Sequence, residues 1–283
     1  MNKNHPNCAL MTPKEFNDAE KRHQGAFHDT RFNFLQSHLG LRPGQNHFLL
    51  GTAGCGKSSL SRAIQIDCAK KNKILIHLSE EKIEDYKYKL NTQLNDKSIL
   101  KNIYIVSENQ RDNHFKQGLG SFFHWFESNI KEFQPSIVFF DNLTTSYLWT
   151  SLGLKGQEES LVRFSNIAED TNLSFFHVLH TKKDITDTTV RNLIQPEDCR
   201  GTQQSALIAP YFYVFQNFKN EFGNNATVRI AKSRFHDLAV NRFFALNYNR
   251  EKATYVNDTE ISFNDLKGLF QDRYKFSEGR KDA

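Results

Sequence analysis

No run of apolar residues in this 283-residue chain approaches the roughly 20 needed to cross a bilayer. The opening residues, Met1 to Asn7, are polar and lack the apolar core of a secretory signal. Cysteine is scarce: Cys8, Cys55, Cys68 and Cys199 show no CxxC spacing. That pattern fits neither a disulfide framework nor a zinc site. Reduced thiols, a cytoplasmic location and no membrane partner are therefore expected. Linkers rich in Pro, Gly or Ser are also missing, and so are internal repeats. Charge is nearly balanced, with 37 Lys+Arg against 32 Asp+Glu and a net charge of +5. Such a balance is compatible with nucleic acid without demanding it. Apolar content is low at 38%, but 25 Phe supply bulk for one well-buried core.

Along the chain, apolar runs alternate with helical periodicity. Residues 1–30 read as a polar arm holding a short helix from Pro13 to His23, with Thr12 as its cap. Phe32 to Leu39 suggests a short amphipathic helix ending near Gly40. His47 to Leu50, Ile74 to Leu78, Asn102 to Val106, Ser136 to Phe140 and Ser174 to Leu179 read as strands. Lys57 to Lys71, Glu81 to Leu90, Leu119 to Phe133 and Glu158 to Asp170 read as helices. This alternation predicts an α/β fold, a mostly parallel sheet with helices on both faces. Lys182 to Cys199 reads as a long loop. Tyr211–Phe218, Ala226–Ser233, Asn241–Asn249 and Ala253–Val256 follow as antiparallel strands, with turns at Gly223-Asn224-Asn225 and Asn249-Arg250-Glu251-Lys252. Residues 271–283 form a charged tail expected to fray. Phe122, Phe123, Trp125 and Phe126 sit on an apolar helix, which favours core packing over base stacking.

Between the first strand and the helix after it lies Gly51-Thr52-Ala53-Gly54-Cys55-Gly56-Lys57-Ser58, a match to G-x-x-x-x-G-K-[ST] at every fixed position. Glycines at 51, 54 and 56 let successive backbone N–H groups surround phosphate oxygens. The helix directs its positive dipole end at the same oxygens. Lys57 is expected to reach the β- and γ-phosphates of ATP and Ser58 to ligand Mg²⁺, with Ser59 completing the cradle.

A carboxylate at a buried strand tip would hold the metal shell. Ile137-Val138-Phe139-Phe140-Asp141 supplies it, and a plain turn-capping Asp is the alternative. Asn142 follows, so the acid that activates water must come from elsewhere. The tip of the second strand offers Glu80, with Glu81 as its rival.

These features, with Phe34-Leu35 and Gly40-Leu41-Arg42-Pro43-Gly44 ahead of the loop, resemble the RecA-fold ATPases. The branch they are most similar to is the DnaB type of hexameric replicative helicase, especially the small plasmid RepA-like helicases. The resemblance covers about residues 30 to 250 and implies a RecA-like ATPase domain over 31–270. It implies that His180 at the end of the fifth strand is a γ-phosphate sensor, although a satisfied strand-end histidine is the plainer reading. Cys199-Arg200-Gly201-Thr202 resembles an Arg-Gly turn after the DNA-binding loop. Ile230-Ala231-Lys232-Ser233-Arg234 resembles a Lys-x-Arg element in which Lys232 and Arg234 reach a neighbour's nucleotide in a ring. Lys182, Lys183 and Arg191 would then meet single-stranded DNA, though Asp184, Asp187 and Glu197 dilute that loop's charge. Phe235-His236-Asp237 stands where DnaB proteins have a Gly-rich turn. The resemblance does not extend to the N-terminal domain with which DnaB proteins collar primase, so it implies no loader or primase contacts.

The expected function is an ATP-hydrolysing, oligomeric motor on single-stranded DNA, a small replicative-type helicase. The rival is a RecA-fold ATPase acting on a protein partner as regulator, recombination mediator or defence component. A P-loop phosphotransferase would need an Arg-rich lid, which the sequence does not offer.

Overall fold

The computed structural model describes residues 27–38, 40–108, 114–182, 193–220 and 223–266. The expected Pro13–His23 helix, Lys183, Arg191 and the charged tail lie outside them.

Nine strands form one sheet: β1 (Asn46–Gly51), β2 (Ile74–Leu78), β3 (Ile103–Ser107), β4 (Ile137–Asp141), β5 (Ser174–His180), β6 (Tyr211–Asn220), β7 (Gly223–Ser233), β8 (Phe243–Asn249) and β9 (Thr254–Ile261). Their spatial order is β3-β2-β4-β5-β1-β6-β7-β8-β9. The first six in that order run parallel, and β7 to β9 continue the edge antiparallel. The helices are α1 (Asn33–Gln36), α2 (Lys57–Ala69), α3 (Ile83–Gln93), α4 (Leu119–Phe133), α5 (Tyr147–Thr150), α6 (Gly153–Thr171) and α7 (Gln204–Ile208). The fold is thus α/β with a mostly parallel sheet, as the alternation of patterns predicts.

Strand pleating divides the core in two. Ile137 and Phe139 of β4 join Leu60 and Ile64 of α2 and Tyr86 of α3 on one face. Val138 and Phe140 join Phe122, Phe123 and Phe126 of α4 and Phe164 of α6 on the other. Both faces are covered, which is why the central strands read as continuous apolar runs rather than alternating ones. The Phe-rich helix α4 is core, with Phe122, Phe123 and Phe126 fully buried. Its C-terminus closes on Gln134 at φ 51°, and α6 closes on Asn172 at φ 57°, the left-handed stop that short polar residues tolerate.

Two polar devices anchor the ends of the sheet. The Asp258 carboxylate on β9 accepts the backbone N–H groups of Asn33 (2.5 Å) and Phe34 (2.8 Å), satisfying the open end of α1. Under the start of β1 lies a buried hydrogen-bonded chain. The Arg42 backbone N–H donates to His47 Nε2 (3.0 Å), so the His47 proton sits on Nδ1 and donates to Tyr213 Oη (3.0 Å). Tyr213 Oη is also hydrogen-bonded to His38 Nε2 (2.6 Å). Burial lowers both histidines, His38 to about 3, so the chain stays neutral.

One segment expected as a turn is strand. Gly223-Asn224-Asn225 opens β7 instead of linking two strands, because β6 runs on to Asn220. Cross-strand pairing along the long hairpin outweighs the local preference of Gly and Asn for a turn.

Candidate functional site

The C-terminal tips of the parallel strands converge, the place where open α/β sheets present ligand-binding residues. Gly51 pairs with His180 across β1 and β5, and Leu78 pairs with Asp141 across β2 and β4. The Gly-rich loop and the residues that follow each of these strands therefore share one rim.

Within the loop, Gly54 (φ 70°) and Gly56 (φ 109°) are left-handed, as required for turning N–H groups inward. Gly51 is needed for another reason: a Cβ there would stand 2.6 Å from the Phe215 carbonyl oxygen on β6. A side chain at Gly56 would meet the Tyr255 hydroxyl at 2.9 Å, and Asn217 Nδ2 donates to the Cys55 carbonyl (2.8 Å). β6 and the antiparallel strand β9 thus brace the loop from behind, through residues the sequence pattern did not single out. Thr52, Ala53 and Gly54 face outward, whereas Cys55 is buried.

Gly56 caps α2, whose first residue is Lys57. Lys57 is 3% exposed, and its Nζ donates to the carbonyls of Gly51 (2.9 Å) and Thr52 (2.6 Å). Desolvation lowers its pKa, countered by Cys55, Asp141 and Glu80. At the next residue, Ser58 Oγ donates to Asp141 Oδ1 at 3.2 Å. The two residues proposed from sequence as Mg²⁺ ligands, 83 positions apart, are in direct contact. Among the described residues no three His, Cys, Asp or Glu gather around one point. A Mg²⁺ ion held by one hydroxyl, one carboxylate, phosphate oxygens and water needs no such cluster. The donor set and the glycine cradle fit a Mg²⁺–nucleotide.

Burial pushes Asp141 up to about 6, against the lowering influence of Arg62, Ser58 and Lys57. The sign follows directly. A carboxyl raised in the folded state adds stability below its unfolded value of 3.8 and loses it as pH rises through about 6. At neutral pH the ionised Asp141 is a cost that a bound divalent ion relieves. Mg²⁺-dependent nucleotide affinity is accordingly expected to fall about tenfold per pH unit below about 6, as the metal competes with a proton. Calorimetric titrations between pH 5 and 8 check this; a flat profile contradicts it.

Glu80 and Glu81 separate clearly. Glu81 is held by Arg62 Nη2 (3.2 Å) and Lys89 Nζ (2.5 Å). Arg62 is itself 4% exposed and stacks over Tyr86. Glu80 is exposed at the rim, close enough to raise both Lys57 and His180 electrostatically. Of the two acids, Glu80 is the one on the loop's side.

His180 ends β5 half-buried, and burial with Lys57 and Arg200 nearby lowers it to about 4. Its Nε2 lies 3.2 Å from Asn142 Nδ2. The loop that follows is closed at its base by the Thr181–Cys199 bridge and by Arg200 N–H donating to the His180 carbonyl (2.9 Å). Gly201 (φ 100°) is obligatory, since a Cβ would fall 2.1 Å from Trp149 Nε1. Lys182 Nζ donates to the Glu197 carbonyl (3.1 Å).

Lys232 and Arg234 are not brought to the loop of their own chain. Lys232 pairs with Phe212, level with Phe48 of β1, about 10 Å along the strand from Gly51. Lys232 Nζ donates to the carbonyls of Ala206 (2.6 Å) and Leu207 (3.0 Å), and Arg234 Nη2 to that of Leu207 (2.5 Å). Both cations cap the C-terminus of α7, on one shared face as the i, i+2 spacing requires.

Sequence reasoning also missed a buried pair beside β2. Glu108 Oε1 lies 3.3 Å from His77 Nε2. Burial pushes the acid up to about 7 and the histidine down to about 3, so the histidine stays neutral and the contact is no ion pair. Glu108 Oε2 accepts the Tyr147 N–H (2.8 Å). A groove of about 1010 Å³ between α4 and α6 shares no residue with the strand tips. No protein-family model matches the chain, and a search of curated proteins finds no match.

Proposed function

We propose that the chain is a Mg²⁺-dependent RecA-like P-loop ATPase. The observation that carries this reading is the Ser58–Asp141 contact beside the buried Lys57. A glycine loop, an ammonium, a hydroxyl and a strand-tip carboxylate converge where a triphosphate would lie. When bound, Mg²⁺–ATP would supply the reacting phosphoryl group and neutralise its charge. Lys57 would hold the β- and γ-phosphate oxygens, and Ser58 and Asp141 the metal and its water shell. Glu80 orients the attacking water and takes its proton.

The motor reading goes one step further: an oligomer, a hexameric ring in the DnaB and RepA-like pattern, that moves along single-stranded DNA as a small helicase. Two observations favour it. Lys232 and Arg234 lie away from their own loop, on a face a second copy could present to it, and the loop after β5 is anchored directly to His180. The rival, an ATPase acting on a protein partner, is favoured by Lys182 Nζ being held by the Glu197 main-chain carbonyl, a bond that must break before the ammonium can meet a phosphate backbone. ATPase assays with and without oligonucleotide decide between them. The motor reading expects stimulation by single-stranded DNA that weakens with salt and with Lys182→Ala/Lys183→Ala. Indifference to DNA with unchanged activity in the double variant favours the protein-partner reading.

A further inference from the structure

We propose that Asn142, which follows the metal-shell aspartate, is a positioning residue that sets the hydrogen-bonding state of His180 and locks the β2 tip to the β5 tip. The inference rests on the ATPase reading for its consequence, but its geometry stands on hydrogen bonds alone.

The amide orientation is not a free choice. Asn142 Oδ1 accepts the Thr145 backbone N–H at 2.9 Å, a donor that cannot be reversed, and also the Thr144 hydroxyl at 2.9 Å. The other end of the amide, Nδ2, must therefore be the group 3.2 Å from His180 Nε2. An amide nitrogen donates and does not accept. Nε2 consequently carries the lone pair, and the ring proton resides on Nδ1. Asn142 is 2% exposed, and its bond to Thr144 is fully buried while those to Thr145 and His180 are partly so. Burial, with Lys57 and Arg200 facing the ring and outweighing Glu80, leaves the imidazole neutral, in agreement with an incoming donor at Nε2.

Asn142 also grips β2. Its backbone N–H donates to Ser79 Oγ (2.9 Å), and that hydroxyl donates to the Asn142 carbonyl (2.5 Å). Ser79 N–H meets the Asp141 carbonyl (3.1 Å). Glu80 is the next residue. On the other side, the Thr144 hydroxyl accepts the His180 backbone N–H (3.1 Å), and His180 in turn anchors Arg200 at the loop base. Glu108 steadies the far end of the same turn through Tyr147. The tip bearing the water-activating acid and the tip bearing the loop are thus joined through one residue, its backbone holding Ser79 and its amide holding His180. His180 meets any anion as a neutral Nδ1–H donor, not as a cation.

The test uses imidazole ¹⁵N NMR of the full-length protein near pH 7. In the wild type, His180 is expected with Nδ1 protonated and Nε2 bare. Asn142→Asp keeps acceptors for Thr144 and Thr145 but turns an acceptor toward His180, so the ring should invert to the Nε2–H form. Asn142→Ala should relax it towards a mixture. In an active enzyme both variants should lower kcat about 10- to 100-fold, with nucleotide affinity little changed. A wild-type ring protonated on Nε2, or a tautomer unchanged by Asn142→Asp, overturns the proposal. The wild-type spectrum decides even if a variant does not fold. The two readings fail separately: the expected tautomer in a protein that hydrolyses no ATP sinks the ATPase reading alone. An active ATPase with the wrong tautomer sinks the joint alone.

Discussion

Glu80→Gln is expected to lower the kcat for ATP hydrolysis by about 10²- to 10⁴-fold while Mg²⁺–ATP still binds. The amide is isosteric and can still orient water, but it cannot accept the proton released as water attacks. Glu81→Gln, one residue on, should behave differently. It loosens a contact with Arg62 and Lys89 and should leave kcat within about threefold, the effect expected of a partly exposed ion pair. Single-turnover hydrolysis beside fluorescent nucleotide binding separates the two steps. Were Glu81→Gln the inactive variant, the assignment of the base would be reversed.

Arg234→Ala carries the second large expectation. A cation inserted from a neighbour stabilises charge on the transferring phosphoryl group and contributes about 10³-fold or more in rate. Because Lys232 lies about 10 Å along the sheet from Gly51, and Arg234 lies farther still, past the end of β7, that contribution can arise only between chains. Arg234→Ala should therefore be inactive alone, and Lys57→Ala should be inactive too. Their mixture should recover part of the wild-type rate, since some interfaces then pair an intact loop with an intact cation. In the absence of a partner, the same cations cap α7. If Arg234→Ala keeps full activity, the interchain role fails, and a monomeric phosphotransferase or an ATPase without a ring gains ground.

How much of this was legible in the sequence depends on the range of the interaction. The strands were readable because burial on both faces makes them continuous apolar runs, and α4 because four aromatics fall on one helical stripe. The loop motif was readable because a tight turn into a helix, with left-handed Gly54 and Gly56, imposes residue types at fixed local spacing. Asp141 could be placed by its position at a strand tip, and its 3.2 Å contact with Ser58 follows from neighbouring parallel tips. What stayed hidden depends on partners distant in sequence. Asn142 looked like the absence of a carboxylate; its role needs Ser79 and His180, 63 and 38 residues away. Gly51 seemed to serve backbone freedom, whereas the approach of Phe215 requires it. Tyr255 and Asn217 brace the loop from strands whose order no local pattern dictates. The choice between Glu80 and Glu81 likewise needed Arg62 and Lys89.

Isothermal titration of Mg²⁺–ATP into the wild type and Lys57→Ala tests the central claim most directly. One saturable site per chain is expected in the wild type, weakened about 100-fold by loss of the ammonium and abolished for hydrolysis. Equal affinity and equal turnover in the two proteins would contradict it, because the triphosphate would then lie somewhere other than the cradle at the head of α2.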